Sequence, residues 1–163
     1  MLKDPECLAR YEESQHALAR LSAVHEIQER MKELPQVPGI CGNEGEHLTH
    51  RFSPGIYTRE LFIPKHTFVI GKTHKHSHPV FFMQGKCRMW DVGAGTDPED
   101  MEAPKIWVSM AGAKRVLLTL EDCIFATAHA SDETDLDALE AELIVPESEA
   151  MQLSQLAALP RIV

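Results

Sequence analysis

Two hydrophobic periods divide the chain. Leu8, Tyr11, Leu18, Leu21, Val24, Ile27, Met31 and Leu34 recur at steps of three, four or seven, with mostly Glu, Gln, Arg and Lys between them. That spacing places them on one face of a helix. Asp4-Pro5 supplies its start, with Asp as cap and Pro at the first helical position. Pro35 and Pro38-Gly39 stop it. Residues 1–35 are therefore read as an N-terminal amphipathic helix. Its apolar stripe suits either packing on the body of the protein or a seam between two copies.

From Tyr57 the pattern changes to short β-branched and aromatic runs. They are Tyr57–Ile63, Thr67–Ile70, Val80–Met83, Cys87–Val92, Ile106–Met110, Arg115–Leu120 and Cys123–His129. Pro64-Lys65, Gly71, Gly85 and the stretch Gly93 to Pro98 punctuate them. Many short strands at even spacing predict a mainly β sandwich or barrel over residues 57–131. Glu121-Asp122 fits a tight hairpin turn between the last two strands. Residues 36–56 hold Pro38, Gly39, Gly42, Gly45, Pro54 and Gly55 and are read as a connector; it carries Glu46, His47 and His50. Beyond Ser131 the chain turns acidic and helical. Thr134 or Asp135 caps a helix through Leu143, Pro146 breaks it, and 147–159 form a second short helix. The acidic run Asp132–Glu142 is most simply a solvated face, so 132–163 form an acidic C-terminal helical segment.

With 163 residues, 44% of them apolar and 25% charged, the chain has the length and composition of one soluble domain with appendages. It lacks an apolar run of 18 residues and an N-terminal export signal, so neither a membrane nor secretion is expected. The net charge of −9 argues against nucleic acid as a partner, because phosphate binding needs clustered Lys and Arg. Cys7, Cys41, Cys87 and Cys123 show no Cys-x-x-Cys spacing and are read as reduced cytosolic thiols rather than zinc ligands.

The chemistry concentrates at His74-Lys75-His76-Ser77-His78. In an extended strand, positions 74, 76 and 78 share one face, and Lys72 shares it too. Neutral imidazole is a common ligand for divalent Zn, Fe, Mn and Ni. Glu60 is read as an outward residue paired across its sheet, Cys87 and Cys123 as buried thiols, and Trp90 and Trp107 as core or pocket residues.

These residues resemble the first motif of the cupin superfamily: Gly, His-x-His, three or four residues, Glu, six residues, Gly. Gly85 closes it, His78 takes the Glu position, His74 the second His and Lys72 the first. Met110-Ala111-Gly112-Ala113-Lys114-Arg115 is similar to the second motif, Pro-x-Gly-x-x-His, with Met110 for Pro and Arg115 for the metal-binding His. A guanidinium there suits a carboxylate or phosphate.

From Tyr57 to about Leu139 the chain also resembles small cupin-domain proteins of bacteriophage and prophage genomes. The residues that carry this are Tyr57-Thr58-Arg59-Glu60-Leu61-Phe62-Ile63-Pro64, Gly71 through His78, Ala103-Pro104, Gly112 through Arg115, Leu120-Glu121-Asp122 and Thr127-Ala128-His129 followed by Asp132 through Asp135. The resemblance implies a cupin double-stranded β-helix, a jelly-roll barrel with an N-terminal helix and short C-terminal helices. It implies fold more than activity.

The expected site is then His74 and His78 on a divalent metal, with His76 or His129 as a third ligand. Lys72 and Arg115 would orient a small oxygen-bearing or anionic molecule. If Leu120 pairs with Cys123 across the last turn, Arg115 faces Ala128 and His129 points out of the barrel; a bulge reverses this. Two further readings accompany it: a non-catalytic module that sequesters a small anion, and a structural homo-oligomer, foremost a dimer, built on the N-terminal helix. The expected location is the cytoplasm, that of the host if the chain is phage-encoded.

Overall fold

The computed structural model describes residues 5–37, 45–94 and 97–149. In chain order these are α1 (Pro5–Met31), β1 (Leu48–Ser53), β2 (Ile56–Ile63), β3 (Phe68–Ile70), β4 (His78–Gln84), β5 (Lys86–Asp91), β6 (Glu99–Glu102), β7 (Lys105–Ser109), β8 (Arg115–Thr119), β9 (Cys123–Ala130) and α2 (Leu136–Leu143). The expected Asp4 cap, the Pro38-Gly39 stop, Gly95-Thr96 and residues 150–159 of the last expected helix lie outside the described residues.

The strands form two antiparallel sheets, β1-β2-β9-β4-β7 and β3-β8-β5-β6. Sequential strands repeatedly alternate between them, which is the wrapping of a jelly roll. The two sheets share one core: Ile63, Val80, Phe82, Cys87, Cys123 and Phe125 are buried together, with Phe82 and Phe125 stacked at 4.3 Å. Alternation builds this core. On β2, Tyr57 and Ile63 are buried, while outward Glu60 pairs with Arg51 of β1 at 3.1 Å. Burying side chains such as Ile63 and Phe82 contributes about 1.5–3 kcal/mol each.

Two strands escape the hydrophobic pattern. β1, in the stretch read as connector, buries only Leu48, and β6 reads Glu-Asp-Met-Glu. Both are edge strands, held by register to β2 and β5 with mostly polar side chains. Such strands lack the apolar alternation that betrays a half-buried strand.

The expected hairpin at Glu121-Asp122 is not formed. β8 pairs with β3 and β5, and β9 pairs with β2 and β4, so residues 120–122 cross from one sheet to the other. The corner is tied down from both sides: Leu120 N–H donates to the Lys86 carbonyl at 2.8 Å, and Lys65 N–H to Asp122 Oδ1 at 2.8 Å. Sheet assignment is a long-range property, and a two-residue polar break serves a corner as well as a hairpin.

α1 leaves none of its described residues buried. Leu18, Leu21, Val24 and Met31 are partly covered, and Ile27 is 44% exposed. Its ties to the barrel include Arg20 Nε donating to the Val92 carbonyl at 3.2 Å. α2 is capped as its sequence predicts, with Asp135 accepting from Ala138 N–H. Leu139 and Leu143 bury against Tyr57. The segment after α2 then ties to the stretch before β4, Val145 N–H bonding the Thr73 carbonyl at 2.9 Å and Lys75 N–H the Leu143 carbonyl at 2.8 Å. No described helix is long and apolar enough to cross a membrane.

Candidate metal centre and barrel cavity

Residues 71–77 are not a strand. β4 begins only at His78, and residues 75–77 bend the chain before it. The histidines therefore do not share a strand face. The bend folds His74 back toward His78, with ring centroids 4.2 Å apart, and leaves His76 exposed. The polar run Lys75-His76-Ser77 gives a sheet nothing to bury, which fits the break, and Pro79 favours the extended backbone that begins at His78.

The third ring is His129. Tyr57 pairs with His129 in the β2–β9 ladder, and the inward parity of Tyr57, Leu61 and Ile63 carries over to Phe125, Thr127 and His129. Its ring lies 4.5 Å from His78 and 5.2 Å from His74. The conditional reading that turned His129 outward assumed a β8–β9 pairing that does not exist. One nitrogen from each of the three rings lies within 4.8 Å of the others.

Burial first, and then the neighbouring His78, His129 and Arg59, holds the His74 imidazole down to about 3. Burial, with His78 and Arg59, holds His129 down to about 4. His78 is also lowered, by burial ahead of Arg115, while its contact with the His76 backbone opposes the shift. All three rings are neutral at pH 7, the state a metal needs. His78 Nδ1 lies 3.1 Å from the His76 carbonyl, so it carries the proton and leaves Nε2 as the donor. His76 thus serves the site through its backbone.

A second histidine–carboxylate grouping, His25, Glu29 and Glu147, lies at the surface, where Lys32 and Lys114 already pair with the carboxylates.

Beneath the histidines the barrel holds a cavity of about 170 Å³. Arg59, Lys72 and Arg115 line it with His74 and His78, and no described Asp or Glu does. A smaller space of about 30 Å³ lies between the barrel and α2, lined by His129, Tyr57 and Leu139 among others. His74 and Arg59 border both, so the three rings partition the two spaces.

The cations are already partnered. Arg115 donates to Ser109 Oγ and reaches Asp91 at 3.2 Å. Lys72, the expected orienting residue, is instead clasped by both carboxylate oxygens of Glu140 on α2, which directs it to the helix. Arg59 is the cavity residue that the sequence reading passed over. Its signal was available, because it sits two positions before Leu61 and four before Ile63 on one strand face. Cys87 and Cys123 are buried thiols raised by burial to about 12 and 11, which makes them poor nucleophiles. Trp107 lines the cavity; His47 and His50 stand outside the cluster, His50 Nδ1 lying 2.7 Å from the Tyr57 hydroxyl.

No protein-family model and no curated protein matches the chain. Several solved structures align with it weakly. The cupin domain of Schizosaccharomyces pombe Cnp3 aligns at 13% identity and a TM-score of 0.43, over 52% of this chain and 64% of that one. The chain thus spans less than two thirds of that structure. A cupin-2 domain protein of Shewanella frigidimarina aligns at 10% and 0.41, over 64% and 92%, and KdgF from Halomonas at 11% and 0.43, over 54% and 79%. These scores are low, and it is the strand order that decides: β2-β9-β4-β7 facing β3-β8-β5-β6. The chain has the jelly-roll fold, which cupins share.

In this jelly-roll barrel the donor set fits a metal. Three neutral imidazoles without a carboxylate suit a borderline transition ion and not calcium or magnesium. His74, His78 and His129 would hold it, with His129 on the last strand standing where the resemblance expected a ligand at Arg115.

The same burial makes the metal-free protein acid-sensitive. The unfolded chain takes up protons near pH 6.5, whereas the buried rings resist them until well below pH 5. Stability therefore falls as pH drops through this window, by up to about 1.4 kcal/mol per pH unit for each ring. Urea midpoints of metal-free protein are expected to decline between pH 6.5 and 5, above the carboxylate range. A flat midpoint over that interval would contradict the assignment of buried neutral rings.

Proposed function

We propose that this chain is a cupin-type protein that holds a divalent transition metal on His74, His78 and His129 and receives a small anionic or oxygen-bearing molecule in the barrel beside it. One observation carries the reading: His74 and His78 border a cavity into which Arg59 and Arg115 bring guanidinium groups and which no described carboxylate lines, Asp91 reaching Arg115 from outside it, in a chain of net charge −9. A basic lining against an acidic whole is a focused field for an anion.

A metal bound there would act as a Lewis acid on an oxygen of the guest. Arg115, held by Asp91 and Ser109, presents its guanidinium in a fixed direction, and Arg59 offers a second from the neighbouring sheet. The partnering of Arg115 favours orientation over raw attraction, since part of its charge is already offset. Leu139 and Leu143 pack α2 over the far side of the histidines. The barrel floor is closed by Phe82 and Ile63, each 1% exposed.

The test separates anion from metal. With the protein zinc-loaded, Arg115→Gln is expected to keep one zinc per chain and to weaken butyrate binding about 10- to 100-fold, the range for losing a hydrogen bond to a charged group. Calorimetric titration reads both. Unchanged butyrate affinity in the variant would remove Arg115 from the anion site.

A further inference from the structure

The interior of the barrel is graded along its strands. At the histidine end β4 presents His78, β7 Ser109, β8 Arg115, β2 Arg59 and β9 Thr127. One step inward the same strands present Val80, Trp107, Leu117, Leu61 and Phe125, with Val69 from β3. Register aligns most of these positions, with β4 offset by one step against β9, where Val80 stands opposite Thr127 and Phe82 opposite Phe125. Arg59 stands opposite Thr127 and Leu61 opposite Phe125; His78 stands opposite Ser109 and Val80 opposite Trp107; Leu117 lies between Val69 and Met89. The next step is the sealed floor, where Ile63, Phe82, Cys87, Thr119 and Cys123 are at most 1% exposed.

The cavity therefore has a cationic, hydrogen-bonding mouth and a blind apolar end. A sugar or polyol would bury hydroxyls against side chains that offer no partner, at about 1–3 kcal/mol each. A bare oxoanion would fill only the mouth. A volume of about 170 Å³ is smaller than the roughly 300–1,000 Å³ of drug-sized sites, and close to the roughly 150 Å³ that holds one benzene.

We infer that the barrel ligand is an amphiphilic monocarboxylate with a compact hydrocarbon part about the size of one ring. Its carboxylate sits among Arg59, Arg115 and the histidines, and its hydrocarbon lies on Leu61, Val69, Val80, Trp107, Leu117 and Phe125. This rests on the anion-binding reading above and adds the shape and polarity of the guest.

The probes are acetate, butyrate, pentanoate, benzoate, benzamide, decanoate and inorganic phosphate, each titrated calorimetrically into zinc-loaded wild-type protein. Affinity is expected to rise about fourfold per methylene from acetate to pentanoate. Benzoate should bind at least about 30-fold tighter than acetate on the same scale. Decanoate should fall off, because the floor is closed. Benzamide and phosphate should each bind at least about tenfold weaker than benzoate, one lacking the charge and the other the hydrocarbon. Benzoate should also quench tryptophan emission, and Trp107→Phe should abolish that change. Equal affinities for acetate, pentanoate and benzoate, or phosphate binding as tightly as benzoate, would overturn the amphiphile while leaving the anion site standing. Benzamide binding as tightly as benzoate would overturn the anion site itself.

Discussion

The His74→Ala, His78→Ala double variant is expected to purify with less than about a tenth of the metal carried by the wild type. Loss of even one supporting contact to a ligand commonly costs 10- to 100-fold in metal affinity, and this variant removes two of three ligands outright. His129 alone then remains on β9. The barrel should survive, because the changes lie at its rim while the core of Ile63, Val80, Phe82 and Phe125 is untouched. Circular dichroism checks this. His76→Ala is the matched control: its ring is exposed, its contribution is a backbone carbonyl, and its metal content should equal the wild type's. Elemental analysis showing normal metal in the double variant would sink the histidine centre.

Gly85→Ala is expected to destabilise the fold by about 3–5 kcal/mol, a large share of the roughly 5–15 kcal/mol that holds an ordinary domain folded. Two costs add. Gly85 has φ +94°, a conformation costing a side-chain-bearing residue about 1–3 kcal/mol. An added Cβ would also stand 2.3 Å from the Asp122 carbonyl oxygen and 2.9 Å from Cys123 Sγ. Backbone at the sheet-crossing corner cannot yield cheaply, and overpacking of this kind costs about 1–3 kcal/mol or more. Gly55 is the comparison, with φ +74° and nothing within 4 Å of an added Cβ, so Gly55→Ala should show only the first cost. Equal urea midpoints for the two variants would refute the role of the close approach at Gly85.

That glycine shows what a motif can carry. Gly85 was read as the closing position of the cupin pattern, and the structure gives it a reason in the Asp122 corner. The expected strands recur within a few residues because their apolar alternation records burial locally. The helix cap at Asp135 was legible for the same reason: it needs only its own next three residues. β1 and β6 were not, since polar edge strands are defined by partners.

The site was half legible. His74, His78 and Arg115 were placed in the barrel by motif spacing, and they line one cavity. The common face of 74, 76 and 78 was wrong because a period-2 argument holds only inside a strand, and β4 starts at His78. His129 depended on which sheet β9 joins, a choice that sequence neighbours do not determine. Lys72 lines the cavity as expected, but its ammonium pairs with Glu140, 68 residues away, and no local signal announces that pairing.

Three histidines from two separate stretches of chain are proposed to converge on one metal. X-ray absorption on the zinc-loaded protein tests this convergence most directly. Nitrogen neighbours are expected at about 2.0–2.1 Å with the multiple-scattering signature of three imidazoles and no sulfur, diminished in His129→Ala. A shell of oxygen alone, a sulfur neighbour at about 2.3 Å, or a spectrum unchanged by His129→Ala would contradict it.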